Sequence, residues 1–534
     1  MEKTSDFNNI PSTYVQKENI INVLNSQGHY VLNQGNYYFA NENNKHIIND
    51  NPENTITSYK TDNDVALHLQ ELIVEGCADK GSPCTTFILS KCENIDNIGF
   101  LNDRKLILKN ISFVCSYSFN FGSIGKIDKK AILININACV EFINCTFQDF
   151  PGIAVNCTGK SKVSFKGCEF NDNRVCITAE NCSILEIQNC RFNDVQEICF
   201  MFKGYSVFRV IKSKVHIEDG CIFVLYGKVS GSVEECKFTG VTGKERETSG
   251  VESESSNKIN FYKCRFTSFS GAVACGSRSK LNLIECEFCK NEQGIGVVER
   301  GELYIYSCKF YNSKEVAIFA SDDSVISIFD SEIIKNTKHG ILIQKSVKMR
   351  IYNTEVSNNK GHGIILCDNS EINIRDSHIN KNHGAGIYLN EDCCCDISSS
   401  SLFNNNLFNI VLFGSSEIIC NNNDLYYTKE AVHKDFLLCN VACKDSSKAY
   451  FENNKFHAYK DNTGGVMSSD SATVFAKGCT FSAMDYLAFL QGKSDIYIKE
   501  SNIKNLRKGI AIGEENATLS IVDCNVKAFK EKRS

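Results

Sequence analysis

The residues best suited to chemistry in this chain are two histidines and a pair of aspartates. His362 sits in Gly361-His362-Gly363, His339 precedes it by 23 residues, and His383 follows by 21. Imidazole titrates near neutrality and is the side chain most used for proton transfer. Asp322-Asp323 offers adjacent carboxylates, the groups that serve as acid, base or nucleophile at a glycosidic bond. His339 and His362 could also share a metal, but no third ligand accompanies them. Cys286-Glu287-Phe288-Cys289 and the run Cys393-Cys394-Cys395 lack a matching second pair, so no metal site is expected. No Gly-rich phosphate loop and no Ser/His/Asp set can be assembled, and no cofactor is expected.

A repeat of 22–23 residues must position these side chains. One column shows it: Cys145, Cys168, Cys190, Ser213, Cys236, Cys264, Cys286, Cys308, Ser331, Thr354, Ser377, Ser400, Asn423, Asn454, Cys479, Ser501 and Cys524. Counted from a weaker first copy at Ile111, 13 of the 17 spacings are 22 or 23. With that period each repeat is one supersecondary unit, which buries its apolar face by stacking on its neighbours.

Two positions after each anchor an apolar residue recurs, as at Phe147, Phe170, Phe192, Phe310, Ile333 and Val356, with a polar residue between. That alternation is a strand with one wet face. A second apolar column three positions before the anchor, including Phe142, Phe165, Ile305, Ile328 and Ile351, marks another strand. Asn144, Gly167, Asn189, Asp330, Asn353 and Asp376 stand immediately before anchors. These residue types accept left-handed backbone angles, so a tight bend is predicted there. A third strand is Gly-led, as in Gly294-Ile295, Gly340-Ile341, Gly363-Ile364 and Gly386-Ile387.

Three short strands per turn, without helical spacing, predict an all-β parallel solenoid of 18 recognisable coils plus one or two irregular ones near the start. Longer spacings of 34, 28 and 31 residues imply outward loops, with residues 239–258 and 427–448 as candidates. Asn336, Asn359, Asn382 and Asn405 form a column expected to hydrogen-bond along the turn.

These repeats resemble those of the right-handed parallel β-helix, the pectin-lyase-like superfamily, over roughly residues 60–527. On that resemblance residues 1–60 are an N-terminal cap with the first irregular strands, residues 61–527 the β-helix, and residues 528–534 a charged tail. Ile20-Ile21-Asn22-Val23-Leu24 is similar to the helix that caps the first coil in that family. The resemblance implies a fold and not an activity. Enzymes of the family carry acids and bases on outward positions of the Gly-led strand and on adjacent turns. Gly361-His362-Gly363 resembles the Gly-His-Gly element of polygalacturonases. The paired aspartates of that element would lie one coil upstream, whereas Asp322-Asp323 lies about two coils up on a different turn. The Arg-Ile-Lys element is missing, and Met349-Arg350-Ile351-Tyr352 reads as a core strand.

A net charge of −5, a pI near 6.1 and the lack of a basic stripe argue against nucleic acid. No 18-residue apolar stretch is available to span a membrane. The polar start, Met1 to Asp6, does not read as a secretory signal. The 28 cysteines are therefore expected as reduced thiols of a cytoplasmic protein, nine of them in the anchor column.

Two outward columns are unexpectedly apolar. Phe319, Leu342, Ile365, Tyr388 and Val411 follow one another on the Gly-led strand, where a groove for acidic sugars would need Lys, Arg or clustered carboxylates. Tyr262, Ile284, Tyr306, Phe329 and Tyr352 stand two positions before anchors. Such stripes suit a covering loop, a protein partner, or a sugar chain stacked on aromatic rings. The leading expectation is a non-catalytic intracellular scaffold that binds a protein, in preference to a glycan, or associates with itself. Its alternative is a carbohydrate-active enzyme, a polysaccharide lyase or glycoside hydrolase, using His362, His339, Asp322 and Asp323.

Overall fold

A computed structural model describes residues 98–115, 132–243, 247–428, 438–459 and 461–527, together with short strands between residues 28 and 89. The chain divides into two compact units, Met1–Ser270 and Gly271–Ser534. Both are all-β and built from parallel ladders of short strands, and no helix occurs among the described residues. The helix expected at residues 20–24 and the tail 528–534 lie outside the described residues. The early strands Gly28–Val31 and Gly35–Ala40 are present, the first pairing in parallel with Leu72–Glu75.

One coil of the second unit shows why the repeat folds as it does. Val325–Phe329 alternates outward and inward, and Ile326 and Ile328 are fully buried. Asp330 then turns the chain at φ 50°, and the next two coils repeat that angle at Asn353 (46°) and Asp376 (49°). Bulkier residues also take this conformation in other coils, as Lys212 and Glu235 do. Stacked hydrogen bonds hold it there, as from Lys212 N–H to the Glu234 carbonyl at 2.9 Å. After the bend come Glu332–Ile334 and the Gly-led strand Ile341–Ile343. Residue-for-residue pairing then repeats one coil on, with Ile326 opposite Met349 and Ile341 opposite Ile364.

The anchor does more than fill space. The Ser331 hydroxyl donates to the Phe329 carbonyl (2.7 Å) and accepts from the Cys308 N–H one coil earlier (3.0 Å). Cys236 repeats the pattern with sulfur, donating to the Glu234 carbonyl at 3.2 Å and accepting from the Ser213 N–H at 3.4 Å. A small buried side chain that both donates and accepts is what the bend needs, so Cys, Ser, Thr and Asn exchange freely there. All 25 cysteines described are free thiols.

In the first unit the column after the anchors stacks as rings, with Phe113, Phe147, Phe170 and Phe192 centred 5.0, 4.5 and 4.6 Å apart. The insertion at residues 239–258 is not purely a loop, because Thr248–Ser255 forms the third strand of its coil. No helix among the described residues is long and apolar enough to cross a membrane.

Candidate functional site

The histidine and aspartate candidates fall on different turns. His339 and His362 stack with ring centroids 5.4 Å apart, each on the turn that enters a Gly-led strand. Their Nδ1 atoms are occupied. The His362 N–H donates to His339 Nδ1 (3.0 Å), and the Ala385 N–H donates to His362 Nδ1 (2.9 Å). Each neutral ring therefore carries its proton on Nε2. Burial, and then the neighbouring His339, push His362 down to about 4. Burial and Lys338 likewise lower His339. His383 is exposed on the following coil.

The glycines of Gly361-His362-Gly363 have a packing role. A Cβ on Gly361 would stand 2.5 Å from His339 Nδ1, and one on Gly384 would stand 2.7 Å from His362 Nδ1. Glycine one coil on is thus the space each imidazole occupies. Asp322 and Asp323 lie past the far end of strand Ile318–Ala320, at φ 58° and 57°. Asp322 bonds Ser321 and Lys345, and Asp323 faces Arg300 at 3.8 Å. The structure does not bring these carboxylates to the imidazoles.

The two apolar stripes differ in exposure. Phe319, Leu342 and Tyr388 are half-buried, and Ile365 and Val411 keep only 9 % and 6 % of their surface. Tyr388 is flanked by the rings of His362 (5.0 Å) and Phe413 (5.4 Å), the latter not singled out from sequence. In the other column Tyr262, in the first unit, is half-buried beneath Lys263 Nζ (4.7 Å). In the second unit Ile284 and Phe329 are half-buried, while Tyr306 and Tyr352 are 37 % and 45 % exposed. Tyr306 and Phe329 stack at 4.9 Å.

Beside that second column runs a groove of about 830 Å³ on the outer face of the strands that precede the anchors. Tyr304, Phe329 and Tyr352 line one part of it, and Arg350, Asn373, Arg375 and Asp396 the next. Lys348–Tyr352 is the core strand expected there, with alternate side chains outward. Met349 and Ile351 are buried, whereas Arg350 is exposed on the outward face beside Tyr352. Asn373 donates to Asp396 (3.2 Å) and accepts from Arg375 Nε (3.1 Å), which fixes all three side chains. Lys348 pairs with Glu371 at 3.2 Å. Arg350 makes no ion pair among the described residues, so its guanidinium is available to a ligand. Farther along the same face Tyr450, Phe475 and Tyr497 form a second stacked row, with 5.2 Å between successive rings.

With fold and groove in view, comparison with known proteins is informative on family alone. The description "right handed beta helix region" matches residues 109–230, 199–346, 293–456 and 437–531. The chain belongs to that family. No curated protein matches this β-helix. Among solved structures it is similar to the periplasmic alginate epimerase AlgG at 12 % identity, over 66 % of this chain and 76 % of that one, with a TM-score of 0.39. The catalytic domain of a GH87 alpha-1,3-glucanase in complex with nigerose shares 14 % identity over 72 % and 66 % of the two chains, with a TM-score of 0.36. A PL6 family alginate lyase, AlyGC, shares 9 % over 96 % and 99 %, with a TM-score of 0.27. These are likenesses of fold, and the β-helix's activity has to be argued from its own side chains.

Proposed function

We propose that the β-helix binds a linear polysaccharide along the outer face of the strands that precede its anchors, in residues 271–534. The observation that carries this reading is the lining of the groove. The exposed ring of Tyr352 and the half-buried ring of Tyr304 adjoin planar hydrogen-bonding groups at Arg350, Asn373, Arg375 and Asp396. Sugar rings present apolar C–H faces and equatorial hydroxyls, and that mixture satisfies both. A protein-binding patch of the kind expected from the sequence would bury its largest apolar surface centrally. Here Arg350, Asn373, Arg375 and Asp396 interrupt the apolar lining.

Affinity electrophoresis through gels containing alginate, pectate or α-glucan tests the proposal. One of these polymers should retard the wild type, and Tyr352→Ala or Arg350→Ala should each weaken that retardation by about tenfold, a loss of about 1.4 kcal/mol. His362→Ala should not change it. Equal retardation of wild type and both groove variants refutes the reading. The same polymers report cleavage. Turnover that survives Arg350→Ala but not His362→Ala would move the chemistry to the imidazole turn. A cytoplasmic location, proposed alongside, is supported by the set of free thiols.

A further inference from the structure

The first unit carries a cluster of metal-ligating side chains far along the chain from the groove. Strands Arg191–Val195 and Lys214–Ile217 pair in parallel, but their register shifts between Phe192 and Val195. The one extra residue leaves Asn193 and Asp194, both exposed, opposite the single residue His216, with Asp194 at φ 54°. A bulge re-aims the side chain it carries, and here the Asp194 carboxylate comes to the next coil. His216 Nε2 lies 3.8 Å from Asp194 Oδ1. His216 points outward between the buried Val215 and Ile217, and Glu218 follows directly. One ligand atom from each of Asp194, His216 and Glu218 lies within 4.8 Å of the other two.

We propose that Asp194, His216 and Glu218 bind one divalent first-row transition ion of the zinc class. Ligands about 2.0–2.2 Å from a tetrahedral ion stand about 3.3–3.6 Å apart. The His216–Asp194 separation is close to that, and the rest is reached by rotation of side chains that are 40 % and 51 % exposed at His216 and Asp194. The surroundings favour a cation. Asp149 and Asp172 occupy the corresponding turn of the two preceding coils, at φ 60° and 53°. Of the nearby cations, Arg191 is directed to Glu169 (3.5 Å), and Lys214 stands two residues before His216 on the same outward face. An imidazole nitrogen among the ligands selects a zinc-class ion over calcium or magnesium, which prefer all-oxygen shells. Three protein ligands leave a fourth position for water or for a ligand donor.

The test uses the full chain, freed of metal by chelator and titrated with Zn²⁺ in a calorimeter, then with Co²⁺ in a spectrophotometer. Cobalt matters because the chain has 28 cysteines, and thiolate ligation gives an intense near-ultraviolet band that nitrogen and oxygen ligands do not. The expected result is one ion per chain, no thiolate band, and at least tenfold weaker binding in His216→Ala and Asp194→Asn. Loss of an outer-shell partner alone costs about 10–100-fold, so loss of a ligand cannot cost less than tenfold. Unchanged circular dichroism confirms that both variants fold. No binding, binding unaffected by His216→Ala, a thiolate band, or Ca²⁺ bound as tightly as Zn²⁺ would each overturn the assignment.

Discussion

Replacing Asn382 by alanine tests the physical account of the repeat most directly. Asn382 is fully buried and makes four side-chain hydrogen bonds. Its Oδ1 accepts from the Asn359 N–H (3.1 Å) and Asn359 Nδ2 (2.9 Å). Its Nδ2 donates to the Val356 carbonyl (3.1 Å) and Asn405 Oδ1 (3.0 Å). Alanine strands the Asn359 N–H and one Nδ2 hydrogen of Asn359. Each orphaned buried donor costs about 1–3 kcal/mol, so the variant should lose about 2–6 kcal/mol. Asn336 begins the column and is the internal control. Its side chain accepts only from the Ser313 N–H (3.0 Å) and donates only to Asn359 (2.9 Å). Asn336→Ala strands one donor and should cost about half as much.

Hydrogen exchange is the suitable assay, because a solenoid can open coil by coil and a single global free energy need not exist. Asn382→Asp adds a pH arm. The new carboxylate would face two acceptors in a buried place, so its folded pKa lies above the unfolded value of about 3.9. A raised carboxyl pKa means the penalty is absent at low pH, grows as pH rises past about 4, and levels off once the folded pKa is exceeded. The reasoning fails if Asn382→Ala costs no more than Asn336→Ala, or if Asn382→Asp is most damaging in acid.

Two further outcomes follow from single side chains. The His362 resonance should titrate near 4 by NMR. With an unfolded value of about 6.5, that lowered pKa makes stability fall as pH drops from about 6.5 towards 4 and leaves it flat above, and His362→Gln should flatten the lower limb in thermal melts. Cys236→Ser preserves both anchor hydrogen bonds and should shift stability by less than about 1 kcal/mol, whereas Cys236→Ala orphans the Ser213 N–H and should cost about 1–3 kcal/mol, read from hydrogen exchange in that coil.

The interior of this fold could be read in the sequence because each inward column is a constraint repeated many times over. Phe147 to Phe170 to Phe192, and Asn359 to Asn382 to Asn405, are stacks in which every member meets a copy of itself. The left-handed bend was legible at Asn353 and Asp376 for the same reason. The purpose of Gly361 was not legible, because its reason is the His339 ring one coil earlier, a contact that no local pattern announces. The groove was missed for a different cause. Arg350, Asn373 and Asp396 lie four positions before their anchors, one pleat from the aromatic column, and Met349-Arg350-Ile351-Tyr352 looks apolar until its alternation is taken seriously. Following Tyr304, Ser327, Arg350, Asn373, Asp396 and Ile419 at steps of 23 would have found it.

That alternation also decides which ring in the groove can hold a sugar. Tyr306 and Phe329 are parallel to within 6° at 4.9 Å, and Tyr450 and Phe475 to within 4° at 5.2 Å. Rings stacked from coil to coil cover one another's faces and turn their edges outward. A pyranose packs its C–H groups against a face, so the middle of such a row offers it little. A face becomes free only where a row ends. Tyr352 follows Phe329 in register and is followed by Arg375, so the aromatic row gives way to the polar one at that ring. It is also the most exposed aromatic residue of the groove and stands two residues from Arg350. Stacking surface and unpaired guanidinium therefore meet at one point on the face. For that reason Tyr352 rather than Tyr306 is the ring whose removal should loosen a bound polysaccharide.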